Sequence, residues 1–265
     1  MNISLSIAIA LVSAVYFAFD PTAEAKPKPT PCPGVFEISD CPAEGCGKGI
    51  DTELNKRKNI RSDDGEATLK SVKWMKTDLS DPSPKAGFCA DEIRDRTKLK
   101  ESGEGQKITV MAWALAARKG SQESCNCKLS ASQDTDNHIV LVQPKPKEGE
   151  PPNPKLEHPM LDADEDDSET AEFTPRARVD HPNFTQEKLE SLIDPDWSLG
   201  DTPTKGKLLV RVTGLLMFDS EHYCSRPLTR HNNWEIHPVL KMEYCPEDQI
   251  CKEDSDENWV DLDND

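Results

Sequence analysis

The sequence lacks the short motifs of several common enzyme classes. It contains no Gly-x-Ser-x-Gly nucleophile elbow, no phosphate-binding P-loop and no glycine fingerprint for dinucleotides. Serine-based acyl transfer, nucleoside-triphosphate chemistry and Rossmann-type redox chemistry are therefore disfavoured. The sequence also lacks a His-Glu-x-x-His motif and paired Cys-x-x-Cys spacings, which argues against the commonest zinc sites.

Positive charge and aromatic residues are both scarce. The chain carries 32 Lys and Arg against 49 Asp and Glu, so its formal net charge is −17. Much of the acidic excess lies in residues 162–169 and in an acidic C-terminal tail at 246–265, which we expect to be solvated. An acidic surface repels phosphate at long range, so a general role in coating nucleic acid is disfavoured. With 6% aromatics and 21 Pro, much of the chain is expected to be loop.

The N-terminus has the pattern of a secretory signal peptide. An apolar run from Ile3 to Phe19 is followed by small residues at Ala23 and Ala25. The run is short for a membrane span, which needs about 20 residues, and the small-x-small end is typical of a cleavage site. We therefore predict a signal peptide at 1–25, a secreted or periplasmic location and no membrane span in the mature chain. An uncleaved anchor is the alternative.

Nine cysteines follow the predicted signal peptide, and in an exported protein they favour disulfides over metal ligands. They are Cys32, Cys41, Cys46, Cys89, Cys125, Cys127, Cys224, Cys245 and Cys251. An odd number leaves one thiol free or paired with another chain. As hypotheses, Cys245 pairs with Cys251, and the Cys125–Cys127 segment pairs with Cys224.

The middle of the chain predicts a mainly β domain at 106–245. Period-two and β-branched patterns predict strands at 107–117, 136–142, 169–174, 207–218 and 234–244, with an amphipathic helix at 184–193 capped by Thr185. Five strands with one helix between the third and fourth is the order of an OB-like five-stranded barrel. A generic antiparallel sheet with a packed helix fits the same order. Gly214 suits a bulge in the fourth strand.

Two further segments flank or interrupt this domain. Residues 26–105 contain Cys and Pro without a long apolar period, so we predict an irregular N-terminal region. Residues 144–168, between the second and third strands, are Pro-rich and then acidic. Such a composition predicts a mobile insertion.

The two long loops of the predicted barrel suggest a ligand-binding mouth. OB-folds bind ligands beside the loops joining strands one to two and four to five, here 118–135 and 219–233. The candidate ligand-binding residues in them are Arg118, Lys119, His222, Arg226, Arg230, His231 and Asn233. The leading hypothesis is an exported, non-enzymatic binding module for an unidentified small molecule, glycan or protein. Solvated loop charge is the alternative interpretation.

The sequence requires no cofactor, but its histidines suggest a divalent metal ion. The candidate ligands are His138, His222 and His237. Imidazole nitrogen beside carboxylate oxygen is a donor set that zinc-like ions accept. The rival hypothesis is therefore a metal-assisted hydrolase, perhaps acting on phosphodiesters. Its catalytic candidates are Glu172 or Glu235 as the base and Arg176 or Arg230 opposite an anionic transition state.

The fifth strand carries an alternating pattern that separates apolar from ionisable side chains. Period-two geometry places Glu235 and His237 on one face, and Trp234 and Ile236 on the other. The same groups could form a structural network in which each imidazole is satisfied by a carboxylate. The loose spacing of the histidines favours that interpretation over a metal.

Several phrases resemble a group of exported bacterial proteins to which no activity is assigned. They are ESCNC (123–127), DNHIVLV (136–142), EFTPRARVDHPNFT (172–185), VRVTGLLMFDSEH (210–222) and NWEIHPV (233–239). The resemblance implies an exported, OB-like β-barrel and transfers no catalytic residue. A structural or assembly role in the envelope, with the odd cysteine bridging two chains, is a third hypothesis.

Overall fold

The computed structural model describes residues 32–48, 50–79, 96–145, 148–155, 168–193, 207–220 and 230–264. Four residues with predicted roles lie outside this part: Cys89, Cys224, His222 and Arg226. The predicted signal peptide and most of the acidic part of the insertion also lie outside it. Within the described ranges, no helix is long and apolar enough to cross a membrane.

The described residues form seven strands and four short helices. The strands are β1 (Thr68–Ser71), β2 (Lys107–Lys119), β3 (Asn137–Val142), β4 (Glu169–Phe173), β5 (Leu208–Phe218), β6 (Trp234–Tyr244) and β7 (Val260–Asp261). The helices are α1 (Thr52–Lys58), α2 (Val72–Thr77), α3 (Arg96–Glu101) and α4 (Gln186–Leu192). Helix α4 begins where the sequence predicts, because the Thr185 side chain accepts a hydrogen bond from the Lys188 amide.

Strands β2 to β6 close into a barrel. β2 pairs with β3 on one side and β5 on the other, β3 pairs with β4, and β5 pairs with β6. A short parallel pairing of β4 with β6 completes the ring. The predicted mainly β, OB-like five-stranded barrel with a helix between its third and fourth strands is therefore confirmed. A generic open sheet is excluded, because β2 and β5 are joined.

The barrel interior is apolar and draws on all five strands. Phe173 of β4 stacks on Phe184, and Phe218 of β5 meets Trp234 of β6 edge to face. Ile236 joins Trp234 in this core. The neighbours of these two residues on β6 therefore point to the outside of the barrel wall, as the alternation predicts.

The N-terminal region packs on the outside of the barrel. It contributes α1, β1, α2 and α3, and β1 extends the sheet by pairing in parallel with β2. Asn55 of α1 accepts a hydrogen bond from Ser124, and Asn59 donates one to the carbonyl of Cys125. The segment 32–59 is thereby held against the loop that joins β2 to β3.

Three disulfides lie in the described part of the chain: Cys32–Cys46, Cys41–Cys127 and Cys245–Cys251. The predicted Cys245–Cys251 pair is present. The predicted pairing of the Cys125–Cys127 segment with Cys224 is wrong, because Cys127 is bonded to Cys41 and Cys125 is a free, buried thiol. The Cys41–Cys127 bond ties the N-terminal segment to the first barrel loop.

Gly214 lies where β5 shifts register against β6, so a side chain at this position is expected to be costly. An added Cβ would lie 2.5 Å from the carbonyl oxygen of Pro238 and 2.6 Å from the Ile236 side chain. We expect Gly214→Ala to lower the free energy of unfolding by about 1–3 kcal/mol, measured by urea denaturation. Gly65→Ala is the control, because the added methyl meets a flexible Asp63 carboxylate. Equal stability of the two variants would contradict this assignment.

Candidate metal centre

A cluster of ionisable side chains lies on the outer face of β3, β4 and β6, beside the loop 120–136. His138 and Glu172 are cross-strand partners, and Glu235 lies in register with Thr170, two residues before Glu172 on β4. We call the following residues the charged cluster: Lys58, Glu123, Asp136, His138, Glu172, Asp219, Arg230, Glu235 and His237. This is the face on which OB-like barrels bind ligands.

Glu172 stands between the two histidines of the cluster. Its Oε2 lies 3.0 Å from His237 Nδ1, and its Oε1 lies 3.4 Å from His138 Nε2. His237 Nδ1 also donates to Glu235 Oε1 at 3.1 Å. Burial alone would lower the pKa of each imidazole. Glu172 and Glu235 outweigh burial at His237 and raise its pKa to about 10, and Glu172 and Glu123 raise the pKa of His138 to about 9.

Two permanent cations complete the cluster from opposite sides. Lys58, at the end of α1, is 2% exposed and places its Nζ 3.1 Å from Glu123, 3.7 Å from Asp219 and 3.7 Å from Glu235. Arg230 bridges Asp219 at 2.9 Å and Glu235 at 2.8 Å. Burial opposes the charge on Lys58, but the three carboxylates raise its pKa above the usual range. Both cations are therefore committed to ion pairs.

The loop from β2 to β3 contributes a second group of donors. Cys125 Sγ lies 3.4 Å from Glu123 Oε2 and 3.8 Å from Asp136 Oδ2, and Asn126 donates to that same Asp136 oxygen at 2.7 Å. Burial and the charge of Glu123 raise the pKa of Asp136 to about 7. Burial, followed by Asp136, raises the pKa of the Cys125 thiol well above its usual range.

Several polar atoms of the cluster are buried without a hydrogen-bond partner among the described residues. They are Glu123 Oε1, Asp136 Oδ1, His138 Nε2, Glu172 Oε2 and His237 Nε2. An unsatisfied buried polar group costs about 1–3 kcal/mol, so a native protein rarely collects several at one place. Glu123 Oε1, His138 Nε2 and Glu172 Oε2 still take part in ion pairs, which leaves Asp136 Oδ1 and His237 Nε2 without a hydrogen-bond or ion-pair partner among the described residues.

The charged cluster also carries an excess of negative charge, which a bound cation would reduce. Its five carboxylates face the two permanent cations Lys58 and Arg230, so neutral imidazoles would leave an excess of three negative charges. Uncompensated charge is expensive in a buried site. Protons on the two histidines and on Asp136 would remove all three charges, and a divalent cation beside neutral imidazoles would remove two.

The donor atoms of the cluster lie close enough together to share an ion. The sets Asp136, Glu172 and His237; Glu123, His138 and Glu172; and Glu123, Cys125 and Asp136 each have ligand atoms within 4.8 Å of one another. The first set is entirely buried. One imidazole and two carboxylates are the donor types of zinc and related first-row ions. The residues therefore fit a metal.

The structure brings together five residues that the sequence singled out: His138, Glu172, Arg230, Glu235 and His237. Arg230 does not belong to an exposed cationic rim, because its side chain is 10% exposed and paired with two carboxylates. Its position inside the cluster follows from the attraction of Asp219 and Glu235.

Other predicted residues lie away from the centre of the cluster or serve the fold. Arg176 donates to the carbonyl of Cys41 and so holds the N-terminal segment. Lys119 is exposed and donates to the Ser130 carbonyl. His231 is exposed, and Asn233 is buried. Arg118 is half-buried and lies opposite His138 in the β2–β3 register.

The site residues predicted from the sequence do not include four members of the charged cluster, Lys58, Glu123, Asp136 and Asp219, or the free thiol of Cys125 beside it. Lys58 lies in the N-terminal region, where no local pattern marks it as buried. Glu123 and Cys125 belong to the ESCNC phrase, whose density of polar residues and cysteines in a loop was the available signal. The spacing does not reveal which of the two cysteines of that phrase stays reduced.

The fold and the site define the protein as an OB-like barrel with a buried ionic centre on the outer face of β3, β4 and β6. No protein-family model, curated protein or solved structure matches the chain. The resemblance to a group of exported bacterial proteins therefore stays a prediction, as does export itself. Disulfide-bonded cysteines are compatible with an extracellular location.

Proposed function

We propose that the protein binds a divalent transition-metal ion in the charged cluster, with Asp136, Glu172 and His237 as ligands. The observation that carries the proposal is the convergence of buried donor atoms without hydrogen-bond partners on one face of the barrel. The protein would then act as a binding module, as its barrel and loops suggest, and its ligand would be a metal ion.

A purely structural network explains the cluster less well. In such a network each imidazole and carboxylate would be satisfied by a neighbour. Here Asp136 Oδ1 and His237 Nε2 have no hydrogen-bond partner among the described residues, while Glu172 Oε2 is ion-paired with His237 Nδ1 at 3.0 Å. Ligation would satisfy these atoms and offset the excess negative charge.

The donor types favour zinc and its neighbours over magnesium or calcium. Magnesium and calcium take oxygen ligands almost exclusively and usually keep water. A buried site that includes the imidazole of His237 suits an ion that accepts nitrogen, and zinc commonly does. His237 would supply nitrogen, while Asp136 and Glu172 would supply oxygen and negative charge.

The test is the metal content and zinc affinity of the full chain. Protein purified without chelator is expected to carry about one first-row ion per chain by elemental analysis. After stripping, His237→Gln is expected to weaken zinc binding by at least about 100-fold, since changes even to residues behind the ligands cost 10–100-fold. Isothermal titration measures the affinity.

His181→Gln is the matched control, because this histidine lies outside the cluster and is paired with Asp263. Its metal affinity is expected to equal that of the wild type. Sub-stoichiometric metal in the purified protein, together with no binding on addition of zinc, manganese or cobalt, would overturn the proposal. Equal losses in both variants would also count against it.

The other two hypotheses receive less support from the contacts. The metal-assisted hydrolase hypothesis assigns an arginine to an anionic transition state, but Arg230 is paired with Asp219 and Glu235, and Arg176 with the Cys41 carbonyl. The envelope hypothesis needs an accessible thiol, and the free cysteine among the described residues, Cys125, is buried. These contacts therefore favour metal binding over hydrolysis and over an intermolecular disulfide.

A further inference from the structure

Cys125 is a buried thiol in unusual surroundings. Cys125 is the free cysteine among the described residues and is 1% exposed. The cysteines near it in the structure are bonded as Cys32–Cys46 and Cys41–Cys127. The Cys125 sulfur contacts two carboxylates, Glu123 at 3.4 Å and Asp136 at 3.8 Å. A structural buried cysteine normally behaves as a small apolar side chain.

A protonated thiol does not satisfy this environment. One S–H donates a single weak hydrogen bond, whereas two carboxylates approach the sulfur. Glu123 Oε1 and Asp136 Oδ1 have no hydrogen-bond partner among the described residues, and both side chains are at least nine-tenths buried. The sulfur and one oxygen of each carboxylate lie within 4.8 Å of one another. Three electron-rich donors at this spacing indicate a cation.

We propose that Cys125 is a sulfur ligand at the Asp136 end of the metal centre. The inference rests on the proposed function, and Asp136 connects the two, because it belongs both to the set with Cys125 and to the set with His237. On binding, the thiol loses its proton to solvent and the thiolate forms a bond to the ion. No electron is transferred and no other bond changes.

A sulfur ligand determines which ions the centre selects. Thiolate is a soft donor, so it favours zinc, cobalt and cadmium over magnesium, calcium and manganese. Cys125 is thus the residue that sets selectivity, and the carboxylates contribute charge to any divalent ion. This also explains why the thiol is kept apart from the disulfide at Cys127, two positions away.

Cobalt absorption spectra of the metal-free full chain test the inference. Cobalt(II) bound to a thiolate shows a sulfur-to-metal charge-transfer band in the near ultraviolet, in addition to its visible ligand-field bands. Wild-type protein titrated with cobalt is expected to show both. Cys125→Ser is expected to lose the charge-transfer band while keeping visible bands, and its fold is checked by far-ultraviolet circular dichroism.

The outcomes separate this inference from the proposed function. Visible bands without a charge-transfer band in the wild type would overturn the role of Cys125 and leave the metal centre standing. A charge-transfer band that survives in Cys125→Ser would assign the sulfur to another cysteine and also overturn it. No cobalt absorption in either protein would overturn both proposals. His237→Gln is expected to weaken the visible bands.

Discussion

Replacing Lys58 with methionine is expected to lower the free energy of unfolding by about 3–5 kcal/mol. The side chain is buried and its ammonium group is shared by Glu123, Asp219 and Glu235. Methionine has a similar length but carries no charge, so the three carboxylates lose a shared counter-ion. Removal of one partner from a buried ionic group costs more than the intact group contributes, because the remaining charges stay desolvated.

Urea denaturation of the metal-free protein in the presence of chelator measures this loss. Lys56→Met is the matched control, because Lys56 lies on the same helix and its ion pairs with Glu44 and Glu53 are exposed. Exposed ion pairs contribute little, so the control is expected to unfold like the wild type. A Lys58→Met variant as stable as Lys56→Met would show that Lys58 is not buried among these carboxylates.

Loss of the Cys41–Cys127 disulfide is expected to cost about 4–5 kcal/mol in the chain-entropy treatment. The bond spans 86 residues, so its removal frees a long loop in the unfolded chain. It also releases the N-terminal segment from the first barrel loop in the folded state. The double variant Cys41→Ser with Cys127→Ser avoids leaving a new free thiol, and urea denaturation measures the change.

The Cys245–Cys251 disulfide provides the control for loop length. It spans 6 residues, and the same treatment predicts a cost of about 2 kcal/mol for the corresponding double serine variant. The first double variant should therefore unfold at a clearly lower urea concentration than the second. The reverse order would mean that the N-terminal segment gains little from its attachment to the barrel.

The barrel was predictable because its determinants are local. Alternation along β6 separates Trp234 and Ile236 from Glu235 and His237, and in the structure the first pair lies in the interior. The helix between the third and fourth strands is marked by its own cap at Thr185. These signals depend on residues a few positions apart, which is the range over which backbone geometry fixes side-chain direction.

The centre was predictable only in part, because its members come from distant parts of the chain. His138, Glu172 and His237 lie on strands whose faces the sequence indicates. Lys58 reaches the centre through helix packing, which no local pattern encodes. Arg230 was expected on an exposed rim, yet two carboxylates from the ends of β5 and β6 draw it inward. The pairing of charges in the cluster could not be predicted, because it depends on residues that only the folded chain brings together.

The N-terminal segment covers the face on which barrels of this type meet their ligands, and this has a consequence for exchange. With Lys58 among the carboxylates of the charged cluster and Cys41 bonded to Cys127, this segment restricts access to the proposed metal site from its own side of the barrel. The residence time of a bound ion would then follow the rate of local unfolding rather than the strength of its ligand bonds. The Cys41–Cys127 disulfide would then slow the exchange of a bound ion in both directions without changing its ligands.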